Sequence, residues 1–139
     1  MIIGIKEAGK PFEEKNMEGV KYRSEVFKKV FTNAYLESVT LYDNPTESSF
    51  LAMLVDEDGL LKDLPTNFFI SKDNPIFPFQ RIVGTVVFVR VKKLSSLYDE
   101  DYKVLDLTEG DRIRINFLLQ ENNQAVLRDK YIMYKNPLY

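Results

Sequence analysis

Cysteine, histidine and tryptophan are all absent from this 139-residue chain. Without cysteine there is no disulfide and no thiolate metal ligand, which points to a reducing compartment. Without histidine no imidazole is present to shuttle protons near neutral pH or to hold zinc. Ser-His-Asp and Cys-His constellations are excluded with it. Carboxylates, lysine, tyrosine, serine and threonine are what remain for chemistry. No catalytic residue, cofactor or metal ligand set is expected. A long apolar run is missing too. The stretch from Val86 to Val89 falls far short of the ~20 residues that cross a bilayer. The opening Met1-Ile2-Ile3-Gly4-Ile5-Lys6-Glu7 has no basic n-region and no useful apolar h-region, so no signal peptide is expected. The expectation is a soluble, cytoplasmic protein with no membrane partner.

Charge of one sign is also lacking. The formal net charge is −2, and acidic and basic residues alternate along much of the chain. No basic stripe of the kind that tracks nucleic acid is evident, and no acidic excess suggests a DNA mimic. Asp99-Glu100-Asp101 reads as a solvated loop. Lys28-Lys29 carries too little charge for a membrane-surface helix. No Gly-rich phosphate loop appears, and Gly110-Asp111-Arg112 is not a nucleotide motif.

What is present is ordinary globular composition, 45% hydrophobic and 29% charged. The length suits one domain over residues 1–139. Such a chain buries roughly 68–70% of its unfolded surface and needs no staple.

Ile2 to Lys6 reads as a first strand, and Ala8 to Val20 as a loop with a short extended piece. Ser24 offers an N-cap. Val26, Phe27, Val30, Phe31 and Ala34 follow at helical spacing, predicting a helix over Ser24 to Asn33. Glu37 to Tyr42 alternates as a half-buried strand, and Asp43-Asn44-Pro45-Thr46 is a turn. Phe50 to Asp56 reads as a strand covered on both faces, closed by Glu57-Asp58-Gly59. Asn67 to Gln80 carries Phe68, Phe69, Phe77 and Phe79 with Pro75 and Pro78, and reads as a loop because proline blocks regular pairing. Ile82 to Val91 is the strongest strand pattern, with Gly84 marking a bulge or a close backbone approach. Lys103-Val104-Leu105 is a brief strand. Thr108-Glu109-Gly110-Asp111 resembles a capping box that would start a helix to about Glu121. The alternation of Ile113, Ile115, Phe117 and Leu119 argues instead for a strand and a hairpin at Asn122-Asn123. Val126 to Tyr134 reads as a final strand or ordered tail.

The order of these elements resembles a small domain family carried by bacteriophages, conjugative elements and their bacterial hosts, whose members have no assigned function. Glu7-Ala8-Gly9-Lys10-Pro11 stands where that family has a Glu-Pro-Gly-Lys-like turn, with Ala8 in place of proline. Ala34-Tyr35-Leu36-Glu37 stands for a Gly-Tyr-Ile-Glu-like strand entry, with Ala34 in place of glycine. Asp56-Glu57-Asp58-Gly59, Leu64-Pro65-Thr66-Asn67, Ile82-Val83-Gly84-Thr85 and Leu107-Thr108-Glu109 match the remaining motifs, so the likeness runs over residues 2–120. The resemblance implies an α+β fold and a mobile-element setting. It carries over no catalytic residue, and it favours a helix over Glu109 to Glu121.

The fold expected is therefore α+β. In a single domain, a mixed or mainly antiparallel sheet of four to six strands carries one or two helices on one face. Phe27, Val30, Phe31, Val39, Leu41, Leu54, Val86 and Phe88 should be mostly buried. The candidate binding residues are Asn67, Phe68, Phe69, Phe77, Phe79 and Arg81. In that reading the aromatics stack bases or anchor a protein partner. The competing reading has Asn67 tying down the backbone while the phenylalanines fill the core. Asp56, Glu57 and Asp58 are read as an exposed turn rather than a cation site. The function expected is a non-enzymatic accessory protein of a mobile element that binds another macromolecule, a host or element-encoded protein, with action against a host defence as one role. A single-stranded nucleic-acid-binding module is the alternative, and a carboxylate-dependent enzyme a further one. Oligomeric state is not legible.

Overall fold

The apolar run from Ile82 to Val91 does not form one strand. A computed structural model, describing residues 1–43, 46, 48–71, 79–94 and 102–135, breaks it at Gly84. That glycine has φ 73°, in the left-handed region that favours glycine, and its N–H donates to the Pro65 carbonyl at 2.8 Å. The break separates β6 (Phe79–Val83) from β7 (Val86–Lys93), and the two enter different sheets.

β7 is the central strand of a six-stranded antiparallel sheet. On one side it pairs with β4 (Ser49–Asp56), which pairs in turn with β3 (Leu36–Asp43) at the sheet edge. Its other side is shared. β1 (Ile2–Lys6) takes the first half and β8 (Tyr102–Leu105) the second. β2 (Glu13–Asn16) flanks β1. Among the described residues a second sheet contains β5 (Thr66–Ser71) and β6 alone.

Strand alternation divides the interior into two layers. Val87, Val89 and Val91 face one side of the sheet, where they meet Val26 and Phe27 of α1 (Arg23–Val30). Val86 and Phe88 face the other, against Leu51 and Met53 of β4, Phe68 and Ile70 of β5, and Ile115 of α2 (Glu109–Leu119). So α1 covers one face of the main sheet, and the β5–β6 hairpin with α2 covers the other. The α+β class and the antiparallel sheet are as the sequence predicts. Of the eight predicted core residues, Phe27, Val39, Leu54, Val86 and Phe88 are buried, and Val30, Phe31 and Leu41 are half-buried.

Several local expectations are corrected. The N-cap of α1 lies two residues before Ser24, at Tyr22, because the Glu25 carboxylate accepts the Tyr22 N–H at 3.0 Å and the Lys21 N–H at 3.2 Å. Ser24 lies inside the helix, which ends at Val30, and Asn33 (φ 52°) sits in the following turn. Thr66–Ser71 is a strand, not a loop. Its β-forming Thr, Phe, Phe and Ile decide its conformation, while Pro75 and Pro78 lie outside the described residues. The acidic triplet Asp99-Glu100-Asp101 and most of the turn after β3 also lie outside them.

The C-terminal region is helical. Thr108 Oγ1 accepts the Asp111 N–H at 3.1 Å, and Asp111 Oδ2 accepts the Thr108 N–H at 2.9 Å. This reciprocal cap satisfies two donors that a helix start leaves open and outweighs the period-2 pattern that follows it. Asn122 and Asn123 are not a hairpin turn. They open α3 (Glu121–Lys135), where Val126 to Tyr134 had read as a strand or tail. No residue of α3 is buried, so its amphipathic signal is weak. It docks instead through Gln124. That side-chain amide accepts the Phe69 N–H at 2.8 Å and donates to the Phe69 carbonyl at 3.0 Å, as a neighbouring strand would. It also donates to the Leu118 carbonyl at 2.8 Å, joining α3 to α2.

Candidate functional site

The predicted binding residues split between interior and surface. Asn67 sits at an irregularity in the β5 ladder, where Thr66 opposes Val83 and Phe68 opposes Ile82. Its Nδ2 donates to the carbonyls of Lys6 and Gly84, both at 2.7 Å. It pins the second sheet to β1 and to the β6–β7 turn. Phe68 is only 3% exposed and stacks on Phe88, with centroids 6.0 Å apart. Neither is available as a base reader or platform, so the backbone-tying and core-filling reading holds for this pair.

Phe69 points the opposite way and is half-buried against Tyr131 of α3, at 5.3 Å between centroids. Phe79 is half-buried, with the Lys130 ammonium 5.8 Å from its ring centre. Arg81 donates to Thr66 Oγ1 at 3.1 Å across the hairpin. These three side chains serve the packing of α3 and the hairpin. Phe77 lies outside the described residues.

The Asp56 turn is also more enclosed than expected. Asp56 is 8% exposed. Its Oδ1 accepts the N–H of Asp58 at 3.0 Å and of Tyr35 at 3.4 Å, and its Oδ2 pairs with the Lys62 ammonium. Lys62 also donates to the Asn33 carbonyl at 2.7 Å. The cluster clasps the loop after β4 to the turn after α1. Burial pushes the Asp56 carboxyl up, but Lys62 and the two backbone donors together hold it below the ordinary carboxylate range. Among the described residues no three Asp or Glu side chains converge as metal ligands.

A larger feature lies on the opposite side of the hairpin. A groove of about 1230 Å³ runs between edge strand β3 and the α2–α3 pair, with Ile70 of β5 in its lining. Ile113 and Phe117 of α2 and Val126 of α3 stand along it at 61%, 64% and 53% exposure. Val39 and Leu41 line the strand side. Arg114 lies at the same wall, its guanidinium 3.5 Å from the centre of the Tyr42 ring. Glu37 marks the other end of β3.

Sequence reasoning missed this surface. The signal was the same alternation that argued for a strand. On a helix, Ile113 and Phe117 are four residues apart and share one face, while Ile115 is buried on another. A helix apolar on two faces has one face left over once its core is filled. Comparison with protein-family models, with curated proteins and with solved structures finds no significant match to this chain.

Proposed function

We propose that this chain is a non-enzymatic binding protein that holds part of another protein in the groove between β3 and α2–α3. The observation that carries this reading is the cluster of Ile113, Phe117 and Val126 at the groove, each more than half exposed. A contiguous exposed apolar patch beside polar rim residues is the usual mark of an interaction site. A host or element-encoded partner, a mobile-element setting and a role against a host defence belong to the same proposal and rest on the family resemblance alone. A double substitution, Phe117→Asp with Val126→Asp, tests it. Both side chains are exposed, so stability should change by no more than about 0.5 kcal/mol per site. Proteins retained from host lysate by the wild-type chain should fall at least about tenfold with the variant, the scale of a lost hot spot. An unchanged set of retained proteins would remove the groove as the site.

A second reading has its own observation. Lys92 of β7 and Lys103 of β8 are directly opposite in the ladder, and Tyr22 bridges to Lys103 on the outer side. Like charges directly opposed cost stability, and neither lysine forms an ion pair among the described residues. Two lysines in one row with a tyrosine suit the backbone and a base of single-stranded nucleic acid. This row replaces the Phe68–Phe79 aromatics as the place where such a strand would bind. Labelled single-stranded DNA and RNA should then shift in a gel, less so at higher salt, and Lys92→Glu with Lys103→Glu should abolish the shift. A shift that survives both changes would exclude the row.

A further inference from the structure

β3 closes the main sheet at one edge, and among the described residues it pairs with β4 alone. Its outer N–H and C=O groups therefore lie at the groove wall without a strand partner among the described residues, a template for adding one. The groove wall at this edge has a defined chemical order. Glu37 opposes Val55 and Val39 opposes Met53, so both side chains stand on the groove face. The ladder shifts between Thr40 and Tyr42, and this irregularity brings both Leu41 and Tyr42 to that same face. Arg114 lies over Tyr42. Neither Glu37 nor Arg114 has an ion-pair partner among the described residues. Along the strand, then, an acid comes first, apolar side chains follow, and a base ends the row. Strand rise places Glu37 and Tyr42 about 16 Å apart.

Resting on the reading of the groove as a protein-binding site, we propose that its occupant is an extended segment of a partner protein. The segment adds antiparallel to β3 over residues 36–40, in keeping with every other ladder of the sheet. Its inward residues alternate with outward ones. A carboxylate meets Arg114, apolar side chains cover Val39 beneath Ile113 and Phe117, and a basic residue meets Glu37. The outward residues, beside Ser38 and Thr40, are polar. Main-chain hydrogen bonds supply affinity in this mode and alternate side chains supply specificity, whereas a helix seated in the groove would use side chains alone.

The probe is a fluorescein-labelled peptide, Glu-Thr-Val-Thr-Val-Thr-Lys, titrated with the full chain and read by anisotropy. It should bind at least about tenfold more tightly than the peptide with Glu and Lys exchanged. N-methylation at the valines or at the threonines should abolish binding for one of the two sets, the one whose N–H groups face β3. Amide exchange at Leu36 to Thr40 should slow on binding. A protein carrying Glu37→Lys and Arg114→Glu should reverse the preference between the two peptides. Failure of the parent peptide to bind at millimolar concentration overturns the proposal, and so does a preference for the exchanged peptide by the wild-type protein. Binding indifferent to both methylated sets, yet weakened by Phe117→Asp with Val126→Asp, also overturns strand addition while leaving the groove as the site. Lysate capture indifferent to those two substitutions removes the groove itself.

Discussion

Replacing Asp111 by Ala should destabilise the fold by about 3–5 kcal/mol, the scale of breaking a buried ion pair by removing one partner. Asp111 is 0% exposed and Arg90 is 4% exposed. Arg90 grips the carboxylate with two bonds, Nε to Oδ2 at 2.8 Å and Nη2 to Oδ1 at 2.7 Å. A third, from Nη1 to Ser49 Oγ at 2.8 Å, fixes the guanidinium on β4. The substitution leaves a cation in the layer beneath α2 and also removes the N-terminal cap of that helix. Arg90→Met in the Asp111→Ala background should recover much of the loss, because a paired apolar replacement removes the stranded charge. A chemical melt placing Asp111→Ala within 1 kcal/mol of wild type would show that the pair carries little of the stability.

The same carboxylate sets an acid limit. Burial raises the Asp111 pKa, but the Arg90 and Thr108 hydrogen bonds outweigh that and hold it below the ordinary carboxylate range. A carboxyl depressed in the folded state contributes stability that is fully present above its unfolded pKa, and the contribution is lost as pH falls through the folded one. Asp56 has the same sign. Unfolding free energy should therefore hold steady down to about pH 4 and then fall. In Asp111→Ala that acid slope should be shallower.

How much of this was legible beforehand follows from the range of each interaction. β4 was readable because burial on both faces leaves a local apolar run. The cap at Thr108 was readable for the same reason, since it spans four residues. What failed was non-local. The split at Gly84 depends on the Pro65 carbonyl, and the β5 strand depends on Gln124, 55 residues away, to satisfy its outer edge. Arg90 inside a β-branched run gave no hint of its partner, 21 positions on. The groove required knowing that α2 is a helix, which periodicity alone had argued against.

Phe68 gives the second large effect, and it separates core from contact surface. Its ring is 3% exposed and stacks on Phe88 at an interplanar angle of 20°, between the two sheets. Phe68→Ala should therefore cost about 3–5 kcal/mol, a drop of roughly 10–20 °C in Tm for a domain of this size. The neighbouring residue should behave differently. Phe69 faces α3, where it is half-buried and touches Tyr131, so Phe69→Ala loses one aromatic pair, worth about 0.5–1.5 kcal/mol beyond its area. That loss should fall on α3, seen as faster amide exchange there with β7 unchanged. Adjacent residues with opposite roles follow from the strand's period of two. A Phe68→Ala variant that melts within a few degrees of wild type yet loses partner binding would return this ring to the contact surface and take it out of the core.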